Sequence, residues 1–139
     1  MQFQLLTLVG TLYEDDVIEV VVRTANGEIG ILPNHESLTS IVLPGPVTVK
    51  STLGESNTFV TFGGLIEIDG EMCRLLADEA EHSDDLIEHE IEDALATAEA
   101  LRVGAKDKHE LAHALNLVDR HTVRLNVARI KRRHRTREQ

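Results

Sequence analysis

The chain has 139 residues, 42% of them hydrophobic, 3% aromatic and none of them Trp, which allows a single core of Val, Ile and Leu with at most an appendage. Its net charge of -10 is unevenly spread: residues 1–119 carry 6 basic and 23 acidic side chains and residues 120–139 carry 8 and 1, a body at -17 and a tail at +7. An acidic body argues against nucleic acid as main partner, a lone Cys73 rules out a disulfide framework, and no apolar run approaches the ~20 residues of a membrane span.

The first stretch, Met1 to Gly10, lacks the positive region and small-residue cleavage site of a secretory leader. From Phe3 to about Leu76, short β-type runs alternate with turn residues, the pattern of an all-β sandwich or barrel. The runs are Val17–Val22, Glu28–Leu32, Val47–Lys50, Thr58–Phe62 and Leu65–Ile68. Asn26-Gly27 and Asp69-Gly70 have the chemistry of tight hairpin turns, because both residues of such a pair tolerate positive φ. Gly63-Gly64, between two runs, reads as a bulge or tight bend, and Cys73, within Cys73-Arg74-Leu75-Leu76-Ala77, as a small buried apolar group.

Near Ser83-Asp84-Asp85 the period changes. These residues suit a helix N-cap and first turn, and Ile87, Ile91, Ala94, Leu95, Ala98 and Leu101 follow at helical spacing until Gly104. Asp107-Lys108-His109-Glu110 is arranged as a capping box before Leu111, Ala114, Leu115, Val118, Leu125 and Ala128. The expected architecture is a β-sandwich over residues 1–82 followed by an antiparallel helical hairpin over 83–139, with helices at about 85–103 and 108–133. The tail Arg132 to Arg137 is expected to fray. Each helix alone is marginal in water, so the hairpin needs a surface for its apolar stripe. The basic tail complements the helix dipole and seeks an acidic surface.

His109-Glu110-Leu111-Ala112-His113 matches the H-E-x-x-H pattern, in which two histidines share a helix face and the Glu activates a zinc-bound water. Asn116 stands where the extended motif turns the chain with Gly, so Asp119 continues along the helix, about 15 Å from His109 at 1.5 Å per residue. That spacing excludes Asp119 as a third ligand, and the expectation is no metal. The other histidines are scattered. No phosphate loop, nucleophile elbow or Cys/His signature is present, so no catalytic residues and no cofactor are expected. From the residues alone the alternatives are a coupling or interaction module, a zinc hydrolase, and a free-standing sandwich that binds a small ligand.

Three strings narrow this: Gly27-Glu28-Ile29-Gly30-Ile31-Leu32-Pro33-Asn34-His35-Glu36, Leu43-Pro44-Gly45-Pro46-Val47, and Phe62-Gly63-Gly64-Leu65-Ile66-Glu67-Ile68 leading into Leu75-Leu76-Ala77-Asp78-Glu79-Ala80. Glycines and prolines at those spacings fix one set of turns. With the order of elements, they resemble the epsilon subunit of bacterial-type (F-type) ATP synthase over essentially the whole chain. The resemblance implies a non-catalytic central-stalk subunit on the cytoplasmic side of the plasma membrane. Its sandwich binds the gamma subunit and touches the membrane c ring, coupling the rotor to proton-driven ATP synthesis. The loop Asn26 to Glu36 would face the c ring, with Glu28 and His35 as contacts. The hairpin would extend along gamma and inhibit ATP hydrolysis, its basic residues Arg120, Arg124, Arg129, Lys131, Arg132 and Arg133 meeting an acidic segment of beta, with alpha nearby.

Some members of that family bind ATP through an Ile/Leu-Asp-x-x-Arg-Ala pattern at the start of the first C-terminal helix. Here Ile87, Glu90 and Ile91 stand at the Asp, Arg and Ala positions. A carboxylate where the phosphate partner should be repels a nucleotide, so no ATP sensing is expected.

Overall fold

In the computed structural model, residues 1–137 are described; Glu138 and Gln139, the end of the region expected to form the hairpin, lie outside the described residues. The chain divides into two units, Met1–Ser83 and Asp84–Gln139.

The first unit holds nine strands: β1 (Gln2–Thr7), β2 (Gly10–Thr24), β3 (Gly27–Ile31), β4 (Leu38–Val42), β5 (Gly45–Ser51), β6 (Ser56–Thr61), β7 (Gly64–Asp69), β8 (Met72–Ala77) and β9 (Ala80–His82). The hydrogen-bonded order is β1-β8-β7-β4-β2-β5-β6-β9, with β3 on β2 and a further β1–β2 pairing. The 15-residue β2 serves both layers of the sandwich. Its first part pairs with β1, from Gln2↔Asp16 to Thr7↔Gly10. Its second part pairs with β5 and β3. Between them the register slips at Ile18, an extra residue between Val17↔Ser51 and Glu19↔Lys50. Such a bulge sharpens the twist and lets one strand turn from one layer into the other. The sequence pattern reveals only Val17–Val22 of this strand, because its first part, Thr11 to Asp16, is largely polar.

Period-2 alternation puts one side of each strand into a common core. Phe3 and Leu5, Val20 and Val22, Val47 and Val49, Ile66 and Ile68, and Cys73 and Leu75 are buried in it. Each such side chain contributes about 1.5–3 kcal/mol as an upper bound. The few aromatic rings are used together: Tyr13 lies 6.1 Å from Phe3 and 5.3 Å from Phe59, and Phe59 lies 4.8 Å from His82.

Two turns differ from expectation. The loop after β2 is Ala25-Asn26 rather than Asn26-Gly27: Thr24 pairs with Gly27, and positive φ falls on Gly27 alone, at +115°. The Thr24 hydroxyl donates to the Gly27 carbonyl at 2.8 Å and accepts from the Asn26 N–H at 3.2 Å, so a side chain closes the turn. The loop after β7 is likewise shifted to Gly70-Glu71, between the paired Asp69 and Met72.

In the second unit a 3-10 turn, Ser83–Asp85, precedes α1 (Glu88–Val103) and α2 (Lys108–Arg137). The expected cap at Ser83-Asp84-Asp85 is therefore not the start of α1. The N-cap position is Ile87, extended and without a side-chain cap, and Glu88 and Glu90 supply negative charge to the first turn. Gly104 ends α1 at φ -87°, so its service here is not a left-handed cap. At the start of α2 the capping box forms with a longer reach: the Glu110 N–H donates to Asp107 Oδ1 at 2.8 Å, and Glu110 Oε2 accepts from the Lys106 N–H at 2.9 Å. α2 continues through Arg132 to Arg137, where fraying was expected. The helices meet along a small seam of Ile91, Leu125 and Ala128, flanked by Leu86 and Leu95.

Candidate interaction surfaces

Three surfaces stand out, one built by backbone turns, one by strand register and one by helical spacing. The first is the run from β3 into the segment that follows it. Leu32-Pro33-Asn34-His35 closes as a turn with the His35 N–H donating to the Leu32 carbonyl at 3.1 Å. Pro33 presets the second position, and Asn34, the one non-glycine residue with positive φ among those described, takes the third at +69°, the requirement of a type II turn. His35 Nδ1 donates to the Glu36 carbonyl at 2.7 Å, since a carbonyl oxygen can only accept. Glu28, exposed, pairs across the ladder with Arg23. Glu28 lies near the start of β3 and His35 beyond its end, with Glu28 to Leu32 covering roughly 13 Å of extended chain.

The second surface was not legible in the sequence. Register aligns Ile41 with Leu65, Leu65 with Leu76, and Leu76 with Leu6, so four apolar residues from β4, β7, β8 and β1 form one row on the outer side of their layer. Ile41 is 61% and Leu76 39% exposed. Beside β1, the two-residue β1–β2 loop is Leu8-Val9, at 96% and 98% exposure, held by the Thr7 hydroxyl, which accepts from the Val9 N–H and donates to the Gly10 carbonyl. The next row along the same strands is polar: Thr39, Glu67, Arg74, Gln4 and Glu14 are in register, with Arg74 Nε donating to Gln4 Oε1 and Gln4 Nε2 to Glu14 Oε1. An apolar stripe edged by a hydrogen-bonded polar row is the anatomy of a protein interface.

The third surface is the basic part of α2. Arg120, Arg124, Arg129 and Lys131 are half-buried and Arg132 and Arg133 exposed. Arg124 Nη1 donates to His121 Nδ1 at 3.3 Å, which requires that nitrogen to be unprotonated. Arg129 reaches both Glu88, at 3.4 Å, and Glu92, at 3.5 Å, and Arg132 reaches Glu88 at 3.0 Å. Lys131 pairs with Asp84; burial, then the nearby Arg135, pulls its pKa below the usual lysine value. These acidic partners escaped the sequence reading, since helix pairing sets them 37 to 47 residues from their cations.

His109 and His113 are exposed on α2, and the Glu110 carboxylate is engaged in capping. Among the described residues no group of three His, Cys, Asp or Glu side chains is placed to hold a metal ion. Ile87 and Glu90 are exposed and Ile91 is buried in the seam, so the position that carries Ala in the nucleotide-binding pattern is occupied here by a packing residue. Cys73 is buried in the sandwich core, and burial pushes its thiol pKa up to about 12.

Residues 1–83 match the family described as ATP synthase, Delta/Epsilon chain, beta-sandwich domain. The ATP synthase epsilon chain of Chloroflexus aggregans is 35% identical over 96% of this chain and 97% of its own length, and that of Acinetobacter baylyi 32% identical over 83% of each. This chain belongs to the ATP synthase epsilon-chain family. The fold has a counterpart in the solved mitochondrial ATP synthase of Euglena gracilis, an OSCP/F1/c-ring assembly, with a TM-score of 0.75 at 20% identity over 86% of this chain and 76% of that one. In this epsilon chain, then, β3 carries Glu28, the turn after it His35, the sandwich the apolar row, and α2 the cations.

Proposed function

We propose that this epsilon chain is a non-catalytic rotor subunit whose apolar row, Ile41, Leu65, Leu76 and Leu6 with Leu8 and Val9, docks on the gamma subunit. The row is the observation that carries the reading: apolar side chains aligned across four strands, Ile41 and Leu76 exposed and Leu65 and Leu6 half-buried, are costly in water and are explained by a partner that covers them. The polar turn with Glu28 and His35 then meets the polar loops of the c ring, and the sandwich transmits rotation between them during proton-driven ATP synthesis. Two layers sharing the unbroken strand β2 suit a part that must not deform under torque. The subunit works at the cytoplasmic face of the membrane by protein contacts; no helix among the described residues is long and apolar enough to cross.

The helical unit is regulatory in this reading. In an extended state Arg120, Arg124, Arg129, Lys131, Arg132 and Arg133 meet acidic surface on beta and alpha, and ATP hydrolysis is restrained. Complementary charge of this kind sets specificity and association rate. Purification of the tagged protein from its native membranes tests the assignment. Recovery of gamma, c, alpha and beta with ATPase activity is expected; recovery of none of them refutes it. Deleting residues 84–139 should keep assembly and raise ATP hydrolysis, and unchanged hydrolysis refutes the regulatory part.

A further inference from the structure

The helical unit is joined covalently at one end, by residues 104–107, and at the other only by side chains. At that open end the apolar seam is slight, with Ile91, Leu125 and Ala128 buried between the helices. Charge is concentrated there instead. Glu92, Arg129, Glu88 and Arg132 form a continuous chain of alternating sign, with Arg129 shared by two carboxylates one helical turn apart and Glu88 shared by two guanidinium groups. Asp84 and Lys131 add a further pair at the same end. Glu88 is the best sheltered of the three carboxylates, at 23% side-chain exposure. A contact far from a covalent tether has the longest lever arm over how far two helices can splay.

From this arrangement we infer that Glu88 and Glu92, with Asp84, form an ionic clasp that holds the hairpin shut by occupying Arg129, Arg132 and Lys131, so that the clasp and an acidic partner surface compete for the same cations. The inference rests on the docking role proposed above for those cations. It adds that the acidic side of α1 is an internal stand-in for the partner. Arg129 already donates from Nε to Glu88 and from Nη2 to Glu92, and Arg132 from Nη1 to Glu88, so a partner carboxylate must compete with α1 for these donors, and opening the clasp and docking are coupled steps. The coupling is electrostatic and partly exposed, and therefore weakens as ionic strength rises.

The test uses the full chain with spin labels at Ala96→Cys and Asn126→Cys, both exposed, while the buried Cys73 stays unlabelled. Pulsed electron resonance gives the distribution of distances between the helices. Glu88→Gln with Glu92→Gln should raise the splayed population roughly fivefold at low salt and lower its salt dependence to what the Asp84–Lys131 pair supplies. Asp85→Asn with Glu90→Gln, the same charge change off the clasp, should leave the distribution as in the parent. Unchanged distances in the first variant, or equal changes in both, would overturn the clasp. In the reassembled enzyme the unlabelled Glu88→Gln/Glu92→Gln chain should inhibit ATP hydrolysis at about fivefold lower concentration. If its hairpin splays and inhibition stays as in the parent, the clasp stands and the docking role of the cations falls.

Discussion

Gly64→Ala is the most exacting test of the sandwich register. Gly64 opens β7, faces Ala77 on β8 and Val42 on β4, and holds φ at +154°. A Cβ there would lie inside contact distance of the Leu76 carbonyl oxygen, 2.9 Å from Ala77 Cα and 3.1 Å from the Leu76 carbonyl carbon. All three atoms are backbone, so no side chain can swing aside. Backbone strain at such a φ costs about 1–3 kcal/mol and forced overpacking another 1–3, together about 2–6 kcal/mol. At about 0.05–0.15 kcal/mol per residue a sandwich of this size has only about 4–12 kcal/mol in total. With a urea dependence of about 1 kcal/mol per M, the midpoint should fall by at least about 2 M or the unit should not fold. Tyr13 is the only Tyr in a chain without Trp and sits against Phe3 and Phe59, so its fluorescence reports on this unit in the intact chain. Gly54→Ala is the control: its φ is +87° and its Cβ meets nothing within 4 Å, so only strain of about 1 kcal/mol is expected. Equal midpoints for the two variants would refute the close approach of β7 and β8.

Leu76→Asp, at a 39% exposed site, should leave the urea midpoint nearly unchanged while weakening binding to gamma at least about thirtyfold, about 2 kcal/mol, by titration; full affinity would remove the apolar row from the interface. Burial raises the Cys73 thiol from 9.0 to about 12, so the unfolded thiol ionises first and stability falls as pH climbs through that window; Cys73→Ala should flatten this fall in melts followed by circular dichroism, and a parallel fall in both proteins would contradict it. Asp107→Ala should cost about 1 kcal/mol and speed amide exchange in the first turn of α2, with no change expected if the Asp107 bond to Glu110 is idle. His109→Ala should shift stability by less than about 0.5 kcal/mol and leave the metal content of the purified protein as it was, and loss of stoichiometric zinc would revive the H-E-x-x-H reading.

What the sequence made legible is what local chemistry decides. The β-type run Val17–Val22 and the Asp107 and Glu110 capping pair each act within a few residues and could be read directly. β4 escaped because Thr39 and Ser40 dilute a five-residue run, and β9, with three residues, is too short for any period. The turn after β2 was misplaced by one residue because the Thr24 hydroxyl does part of what Asn26 was expected to do by positive φ. α1 starts late because Leu86, at the edge of the seam, is followed by extended Ile87, which displaces the helix from Ser83. The apolar row and the cross-helix carboxylates depend on pairings 11 to 70 residues apart, which no single run of residues encodes.

The parallel pairing of β1 with β8 sets a timetable for biogenesis. β1 can form a hairpin with β2 at once, but its other edge, from Gln2 to Leu6, finds its partner only when Met72 to Leu76 have been made. Nearly the whole first unit must emerge from the ribosome before its opening strand is covered on both sides, and pairings of such long sequence separation are slow to close. Until then the nascent chain offers a bare strand edge beside a loop of Leu8 and Val9, a target for chaperones or for premature association. Once it closes, the helical unit from Asp84 onward is still to be completed, so the sandwich is finished before the hairpin is.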